Sequence, residues 1–300
     1  MDDLLGGADT LETAIQLRDG LIEVLGSAGL ELRKWTSNKI NLISDLSTDV
    51  NDGKNIATHE AINNSIIKIL GLYWSSDSDT LKFKISCLFD PLGLIGPAIV
   101  RAKLILQRLW LLKVQWDEPL PNSIQDEWKE YRTSLMSLNE LVVPRKIKGD
   151  CNIINIQIHG FADASIEAYG CCLFLRNTNS DGVHTSKLIC AKSKVAPLKV
   201  VSLPRLELCA AILLVRLASR VIPKIQLDVS KKYFWSDSNI VLAWITSQST
   251  KWRRTFVTHR VGEIQEKTSV ADWNHVDTKD NPADIISRGC CPSKITNTPL

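Results

Sequence analysis

The sequence has no internal repeat, no low-complexity tract and no Cys-x-x-Cys motif, and its first residues contain neither a basic region nor an apolar signal segment. The eight cysteines therefore predict reduced thiols in an intracellular protein, in the cytoplasm or the nucleus, and exclude a disulfide-stabilised secreted scaffold. The most apolar segment, residues 206–222, contains Glu207, Arg216 and Arg220. Because these charges interrupt it, the segment predicts a buried helix and excludes a membrane span.

Composition places the chain among folded globular proteins. Hydrophobic residues make up 44% and charged residues 23% of the 300 residues, which excludes disordered, collagen-like and coiled-coil classes. This length favours two compact units joined by a connector. The net charge is +3, and the excess of basic residues lies in the C-terminal half. That excess suits a phosphate-rich partner, although ordinary scatter of charge along a chain is the alternative.

The first half of the chain predicts helices separated by polar and turn-rich segments. Strand-type runs occupy residues 30–35 and 70–74, and residues 142–149 are typical of a linker. The predicted helices span residues 10–25, 98–113 and 121–138.

The second half alternates between strand and helix patterns, which predicts a mixed α/β layer. The predicted strands span residues 153–162, 169–176, 187–192, 232–236 and 270–276. The predicted helices span residues 203–221, 238–247, 255–267 and 282–288.

Four acidic residues occupy special places in this pattern. Asp163 and Asp237 each come at the carboxyl end of a predicted strand, where functional groups of open α/β sheets gather. They would be neighbours if those two strands pair. Glu207 lies in the first turns of an otherwise apolar predicted helix, and Asp284 lies in the last predicted helix.

Such acids suit a metal-dependent site if the fold brings them together. Crowded carboxylates repel one another, and a hard divalent ion such as Mg²⁺ relieves that repulsion. Two such ions about 4 Å apart activate a water and stabilise the leaving oxygen of a phosphodiester. The alternative is a set of separate surface acids, with Asp237 serving as a helix cap.

Five motifs follow one another along the chain. They are Phe-Asp-Pro-Leu-Gly-Leu-Ile at 89–95, Phe-Ala-Asp-Ala-Ser at 161–165, Leu-Pro-Arg-Leu-Glu-Leu at 203–208, Trp-Ser-Asp-Ser at 235–238 and Asp-Asn-Pro-Ala-Asp at 280–284. In this order they resemble the polyproteins of the Bel/Pao class of long-terminal-repeat retrotransposons. The resemblance covers nearly the whole chain.

The resemblance implies an α/β fold with a ribonuclease H-like mixed sheet and flanking helices over residues 150–290. Such a domain hydrolyses the RNA strand of RNA–DNA hybrids with two Mg²⁺ ions, for which Mn²⁺ is the expected substitute. The positions that match the catalytic metal ligands of the family are Asp163, Glu207, Asp237 and Asp284. His275 precedes the last of these acids, but its spacing does not match the family's mobile proton carrier and favours a strand-end residue.

The resemblance also divides the remainder of the chain. It implies a truncated palm and thumb remnant of a reverse transcriptase over residues 1–84 and a helical connecting segment over 85–149, and it leaves 291–300 as a disordered tail. Asp2 and Asp3 match the end of the polymerase metal motif. We expect them to be vestiges in a fragment without polymerase activity, for which the upstream polymerase portion is a candidate partner.

The connecting segment of this family is often called a retrotransposon peptidase. An aspartic peptidase needs Asp-Ser-Gly or Asp-Thr-Gly, and glycine follows none of the Asp-Ser or Asp-Thr pairs in this sequence. The residues therefore do not support peptidase chemistry.

Basic residues provide candidate contacts to nucleic acid. Lys192 and Lys194 precede the long apolar helix, and the run Lys251, Trp252, Arg253, Arg254 joins two later helices. The alternatives are solvated lysines and a basic loop with a buried tryptophan. Two functions follow: a Mg²⁺-dependent nuclease acting on RNA–DNA hybrids, or a catalytically silent nucleic-acid-binding remnant. No membrane partner is expected.

Overall fold

The computed structural model describes residues 6–27, 32, 35–46, 66–69, 72–75, 78–82, 90–113, 118–148, 152–247 and 255–296. The chain divides into two compact units. The first comprises residues 1–89 with 142–145, and the second comprises residues 90–141 with 146–300. This division differs from the predicted domains, because most of the predicted connecting segment belongs to the same unit as the C-terminal domain.

The first unit combines a helix with a small antiparallel sheet. Its elements are α1 (Leu11–Ser27), β1 (Ile66–Ile69), β2 (Leu72–Ser75), β3 (Thr80–Lys82) and β4 (Val142–Pro144). The strands are ordered β1-β2-β3-β4. The segment predicted as a linker thus begins with β4, because Val143 pairs with Leu81. The strand predicted over residues 30–35 lies mostly outside the described residues.

The second unit begins with two helices, α2 (Gly96–Leu112) and α3 (Asn122–Ser134). The Asp90 carboxylate accepts hydrogen bonds from the backbone amides of Leu94 (2.8 Å) and Ile95 (2.9 Å) just before α2. The helix predicted over 121–138 ends at Ser134, and a 3-10 helix continues it over Leu135–Glu140.

A mixed sheet forms the centre of this unit. Among the described residues its five strands are β5 (Ile153–Ala164), β6 (Ala168–Asn179), β7 (His184–Val195), β8 (Lys231–Ser236) and β9 (Trp273–His275). Their order is β7-β6-β5-β8-β9. The pairs β7–β6 and β6–β5 are antiparallel, whereas β5–β8 and β8–β9 are parallel. The strand predicted over 270–276 is shorter, because residues Val270–Asp272 form a 3-10 helix.

Helices cover both faces of this sheet. The helices that follow β7 are α4 (Leu203–Val221), α5 (Asn239–Thr246), α6 (Thr255–Lys267), α7 (Asp284–Arg288) and α8 (Pro292–Thr296). The α4 helix is buried along most of its length and shares a core with α5, α6 and the sheet. Its periodic apolar residues explain why it packs there.

Two glycines of the sheet show that α4 and α7 lie on opposite faces. A Cβ on Gly160 would lie 2.7 Å from Leu214 in α4, and a Cβ on Gly170 would lie 2.4 Å from Ile286 in α7. Gly170 pairs with Asp163. Since side chains alternate along a strand, Gly160 and Asp163 point to opposite faces.

The prediction of a disordered tail over 291–300 is wrong for its first half. Residues 292–296 form α8, which packs against the 3-10 helix Leu135–Glu140. Ile295 is only 2% exposed, and burial of this apolar side chain stabilises the helix. Residues 297–300 lie outside the described part of the chain. No described helix has both the length and the apolar character needed to cross a bilayer.

Candidate metal centre

Two acids meet at the carboxyl ends of neighbouring strands. Asp163 is the second-last residue of β5, and Asp237 directly follows β8. These strands are parallel, and Ala162 pairs with Ser236. The two strands thus pair, which is the condition under which the sequence predicts that the two aspartates are neighbours.

Glu207 completes the group from the first turns of α4. One ligand atom from each of Asp163, Glu207 and Asp237 lies within 4.8 Å of the others. Asp163 is 3% exposed and Glu207 is 7% exposed. Acids so deeply buried require compensation by a cation, by hydrogen bonds or by protons.

Burial, together with the neighbouring negative charges, raises the pKa of two of these carboxyl groups. Burial, and then the negative charges of Asp163 and Asp237, raise the pKa of Glu207 to about 9. Burial also raises the pKa of Asp163 to about 6, although the hydrogen bond from Ser287 opposes this shift. Without a cation, Glu207 therefore holds a proton at neutral pH.

Hydrogen bonds restrain the carboxylates of the two aspartates. The Ser287 hydroxyl donates to Oδ2 of Asp163, and the Thr278 hydroxyl donates to Oδ2 of Asp237 at 2.8 Å. The backbone amide of Ala164 lowers the pKa of Glu207 and so opposes the effect of burial. Within the described residues, the buried atoms Oε2 of Glu207 and Oδ1 of Asp237 have no hydrogen-bond partner.

These residues fit a divalent cation. The group contains only carboxylate ligands, and hard ions such as Mg²⁺ and Mn²⁺ prefer oxygen. A cation would neutralise the mutual repulsion and satisfy the two buried oxygens that lack a partner.

Asp284 is not a member of the group within 4.8 Å. It is the first residue of α7, and its carboxylate accepts a hydrogen bond from Arg288 at 2.6 Å. Its negative charge still raises the pKa of Asp163 and of Glu207. The structure thus brings three of the four predicted acids together and places the fourth close enough to act on them electrostatically.

Other predicted site residues lie apart or outside the described residues. Lys192 and Lys194 are exposed on β7. His275 is the last residue of β9 and is exposed, as the interpretation of a strand-end residue predicts. The remaining predicted residues, Asp2, Asp3, Lys251, Trp252, Arg253 and Arg254, lie outside the described part of the chain.

Sequence analysis missed the two hydroxyl partners of the aspartates. Ser287 follows Asp284 by three residues in a short helix, and that spacing places both on one helix face. This local signal could have identified Ser287. Thr278 approaches Asp237 from 41 residues further along the chain, and no local pattern marks that contact.

Sequence analysis also missed a cationic cluster formed by α4 and α6. The guanidinium groups of Arg205 and Arg260 lie 5.2 Å and 3.6 Å from the ring centroid of Phe256. Neither arginine forms an ion pair with a carboxylate in the described part of the chain. Both guanidinium groups thus make cation–π contacts with the same aromatic ring.

Solved structures of nucleases are among the similar folds. The N-terminal RNase H domain of a Mycobacterium tuberculosis protein is 11% identical, with a TM-score of 0.29, and the match covers 48% of this chain and 96% of that domain. RNase H1 of Halobacterium salinarum is 14% identical, with a TM-score of 0.27, and the match covers 43% and 90%.

The match to a viral protein covers a larger part of the chain. The foamy viral protease-reverse transcriptase, solved with double-stranded DNA, is 11% identical, with a TM-score of 0.38, and the match covers 92% of this chain and 44% of that one. None of these structural similarities is close, and no curated protein matches the sequence significantly.

A sequence-family match gives the assignment. The model of the Pao retrotransposon-like RNaseH-like domain matches residues 79–238, a span that includes Asp163, Glu207 and Asp237. It also includes the whole of the predicted connecting segment, residues 85–149. This chain belongs to the family of Pao retrotransposon-like RNaseH-like domains.

Proposed function

We propose that this protein is a divalent-metal-dependent nuclease that hydrolyses the RNA strand of RNA–DNA hybrids. The observation that carries the proposal is the group of Asp163, Glu207 and Asp237, with ligand atoms within 4.8 Å of one another and with Asp163 and Glu207 buried. The family match over residues 79–238 supports it. The motifs shared with Bel/Pao polyproteins support an origin in that class of retrotransposon.

The three acids would hold divalent cations. We propose two Mg²⁺ ions, for which Mn²⁺ can substitute. A bound divalent ion supplies an activated water and stabilises the leaving oxygen of a phosphodiester. The proposed role of Asp284 as a fourth ligand is supported by its electrostatic effect on Asp163 and Glu207.

The protein's own residues prepare this site. Glu207 is itself only 7% exposed, so little water reaches its carboxylate. Hydrogen bonds from Ser287 and Thr278 restrict the orientation of the two aspartates. A site held in this way loses little entropy when it binds its ligands.

The proposed partner is nucleic acid. Lys192 and Lys194 are exposed on β7, and Arg205 and Arg260 carry charges that no carboxylate among the described residues neutralises. Basic side chains of this kind bind the phosphate backbone and make binding sensitive to salt.

A catalytically silent nucleic-acid-binding remnant is the second candidate. The observation that favours it is the 2.6 Å ion pair between Asp284 and Arg288. In this pair the charge of the fourth acid is neutralised by an arginine and not by a metal. This candidate would explain binding without cleavage.

Cleavage of an end-labelled RNA–DNA hybrid by the full chain separates the two candidates. The reactions contain Mg²⁺, Mn²⁺ or a chelator, with DNA duplex and RNA duplex as alternative substrates. The variants are Asp237→Asn and, as a matched control, Asp181→Asn in an exposed turn.

We expect metal-dependent cleavage of the RNA strand by the wild type and by Asp181→Asn, and a loss of at least about 100-fold in Asp237→Asn. A folded wild type that binds the hybrid but leaves it intact in both metals would favour the silent remnant. Cleavage of all three duplexes would overturn the proposed specificity.

A further inference from the structure

Ser287 is a buried hydroxyl between α7 and the end of β5. The residue is 0% exposed, and its hydroxyl donates to Oδ2 of Asp163. The same oxygen lies 3.0 Å from the carbonyl oxygen of Asp284, but the hydroxyl has one proton. A carboxylate is the stronger acceptor, so the proton is directed to Asp163.

The backbone of Ser287 is attached to the same region. Its carbonyl oxygen accepts a hydrogen bond from the Ser165 hydroxyl at 2.9 Å. Ser165 lies just after β5, and its backbone amide bonds the carbonyl oxygen of Ala168 at 2.8 Å. Side chain and backbone of Ser287 therefore attach α7 to the β5–β6 connection.

The fold lets α7 approach this closely because the residue opposite Asp163 is Gly170. A Cβ at that position would lie 2.4 Å from Cγ2 of Ile286. On the other side, the backbone amide of Cys290 donates to the carbonyl oxygen of Pro97 in α2 at 3.3 Å. The α7 helix is thus held between the sheet and α2, and Ser287 has little freedom to move away from Asp163.

The two aspartates differ in the surroundings of their hydroxyl partners. Thr278, which bonds Asp237, is exposed, whereas Ser287 and Asp163 are both buried. A hydrogen bond excluded from water is stronger and restricts its acceptor more than one in contact with solvent. Ser287 therefore has the greater influence on the geometry of the acidic group.

We propose that Ser287 is a positioning residue, which holds Oδ2 of Asp163 so that the carboxylate is oriented for a divalent cation shared with Glu207 and Asp237. This inference rests on the proposed metal-dependent function. Ser287 acts through Asp163 and does not itself contact the metal. Partners of this kind orient metal ligands, and their loss commonly weakens metal affinity 10–100-fold.

Binding of Mn²⁺ by the full chain, measured by isothermal titration calorimetry without substrate, tests the inference. The variants are Ser287→Ala, which removes the hydroxyl, and Ser287→Cys, which has the same shape and a slightly larger side chain but donates weakly. Ser219→Ala is the matched control, because Ser219 is exposed and its hydroxyl donates only to the nearby carbonyl oxygen of Arg216. Thermal unfolding of each metal-free protein reports on the fold.

We expect about tenfold weaker Mn²⁺ binding in both Ser287→Ala and Ser287→Cys, with wild-type affinity in Ser219→Ala. Wild-type affinity in Ser287→Cys would reduce Ser287 to a packing role and overturn the inference, even if the wild type cleaves hybrids. If Ser287→Ala does not fold, Ser287→Cys alone decides. A wild type that binds no Mn²⁺ would overturn the proposed function, and this inference with it.

Discussion

Asp163 and Asp237 occupy equivalent positions on neighbouring parallel strands, each directly after the pair that Ala162 forms with Ser236. Parallel pairing makes the two carboxylates point into the same region although 74 residues separate them in sequence. Glu207 enters that region from α4, and all three ligand atoms lie within 4.8 Å of one another. In the metal-free protein, ionised forms of these three carboxyl groups therefore repel one another.

Replacement of Glu207 by glutamine should reduce the pH dependence of stability in the metal-free protein. Burial raises the pKa of Glu207 from 4.5 to about 9, so the folded state binds this proton more tightly than the unfolded state. The free energy of unfolding should consequently fall as the pH rises from about 5 to 9. Asp163, with its pKa raised to about 6, contributes in the same direction at lower pH.

Urea unfolding at pH 6 to 9 in the presence of a chelator measures the slope of the free energy of unfolding against pH. We expect the free energy of unfolding of the wild type to decrease clearly over this pH range, and that of Glu207→Gln to decrease less. Glu167→Gln is the control, because Glu167 is exposed in the β5–β6 connection. Equal slopes in wild type and Glu207→Gln would show that Glu207 is not the residue responsible.

Gly93→Ala should destabilise the protein by more than about 2 kcal/mol. Gly93 has a φ of 76°, and a Cβ there would lie 1.9 Å from the carbonyl oxygen of Ala191 in β7. The neighbouring Leu92 accepts a 2.8 Å hydrogen bond from the amide of Ala191, so the contact with the sheet edge would be displaced. Thermal and urea unfolding measure the change.

Gly262→Ala provides the comparison for this substitution. Gly262 lies within α6, and its Cβ would meet nothing within 4 Å. Alanine should therefore stabilise the helix by about 0.5–1 kcal/mol. Similar destabilisation by both substitutions would contradict the steric argument at Gly93.

Leu214→Ala should cost about 2–5 kcal/mol of stability, because Leu214 is 0% exposed in the core between α4 and the sheet. Leu111→Ala is the matched control, since Leu111 is 59% exposed and should change stability by less than about 0.5 kcal/mol. Urea unfolding at neutral pH compares the two. Equal losses of stability in the two variants would contradict the assignment of Leu214 to the core.

Arg205→Ala and Arg260→Ala should each weaken binding of an RNA–DNA hybrid and lower its salt dependence. Each arginine that neutralises a phosphate lowers the slope of log K against log salt by about 1 when it is removed. Fluorescence anisotropy at several salt concentrations gives the affinity and the slope together. Arg220→Ala is the control, from the last turn of α4. A uniform loss of affinity with an unchanged slope would mean that Arg205 and Arg260 do not contact phosphate.

Local sequence patterns were sufficient to predict the bounds of the helices whose ends lie beside turn residues. The predicted helices over 203–221 and 255–267 coincide with α4 and α6. Their boundaries follow from apolar periodicity and from neighbouring turn residues, both of which act within a few positions. The identity of the three clustered acids was also accessible, because each stands at a conspicuous position in its strand or helix.

Tertiary structure alone decided how these parts combine. The proximity of Asp163 and Asp237 depends on the parallel pairing of β5 and β8, and the contact of Ser287 with Asp163 spans 124 residues. The α8 helix depends on burial of Ile295 and on packing of the helix against the 3-10 helix Leu135–Glu140, which lies far earlier in the chain. Periodicity and capping describe neighbours along the backbone, whereas burial and hydrogen bonding between distant segments arise from packing of the whole unit.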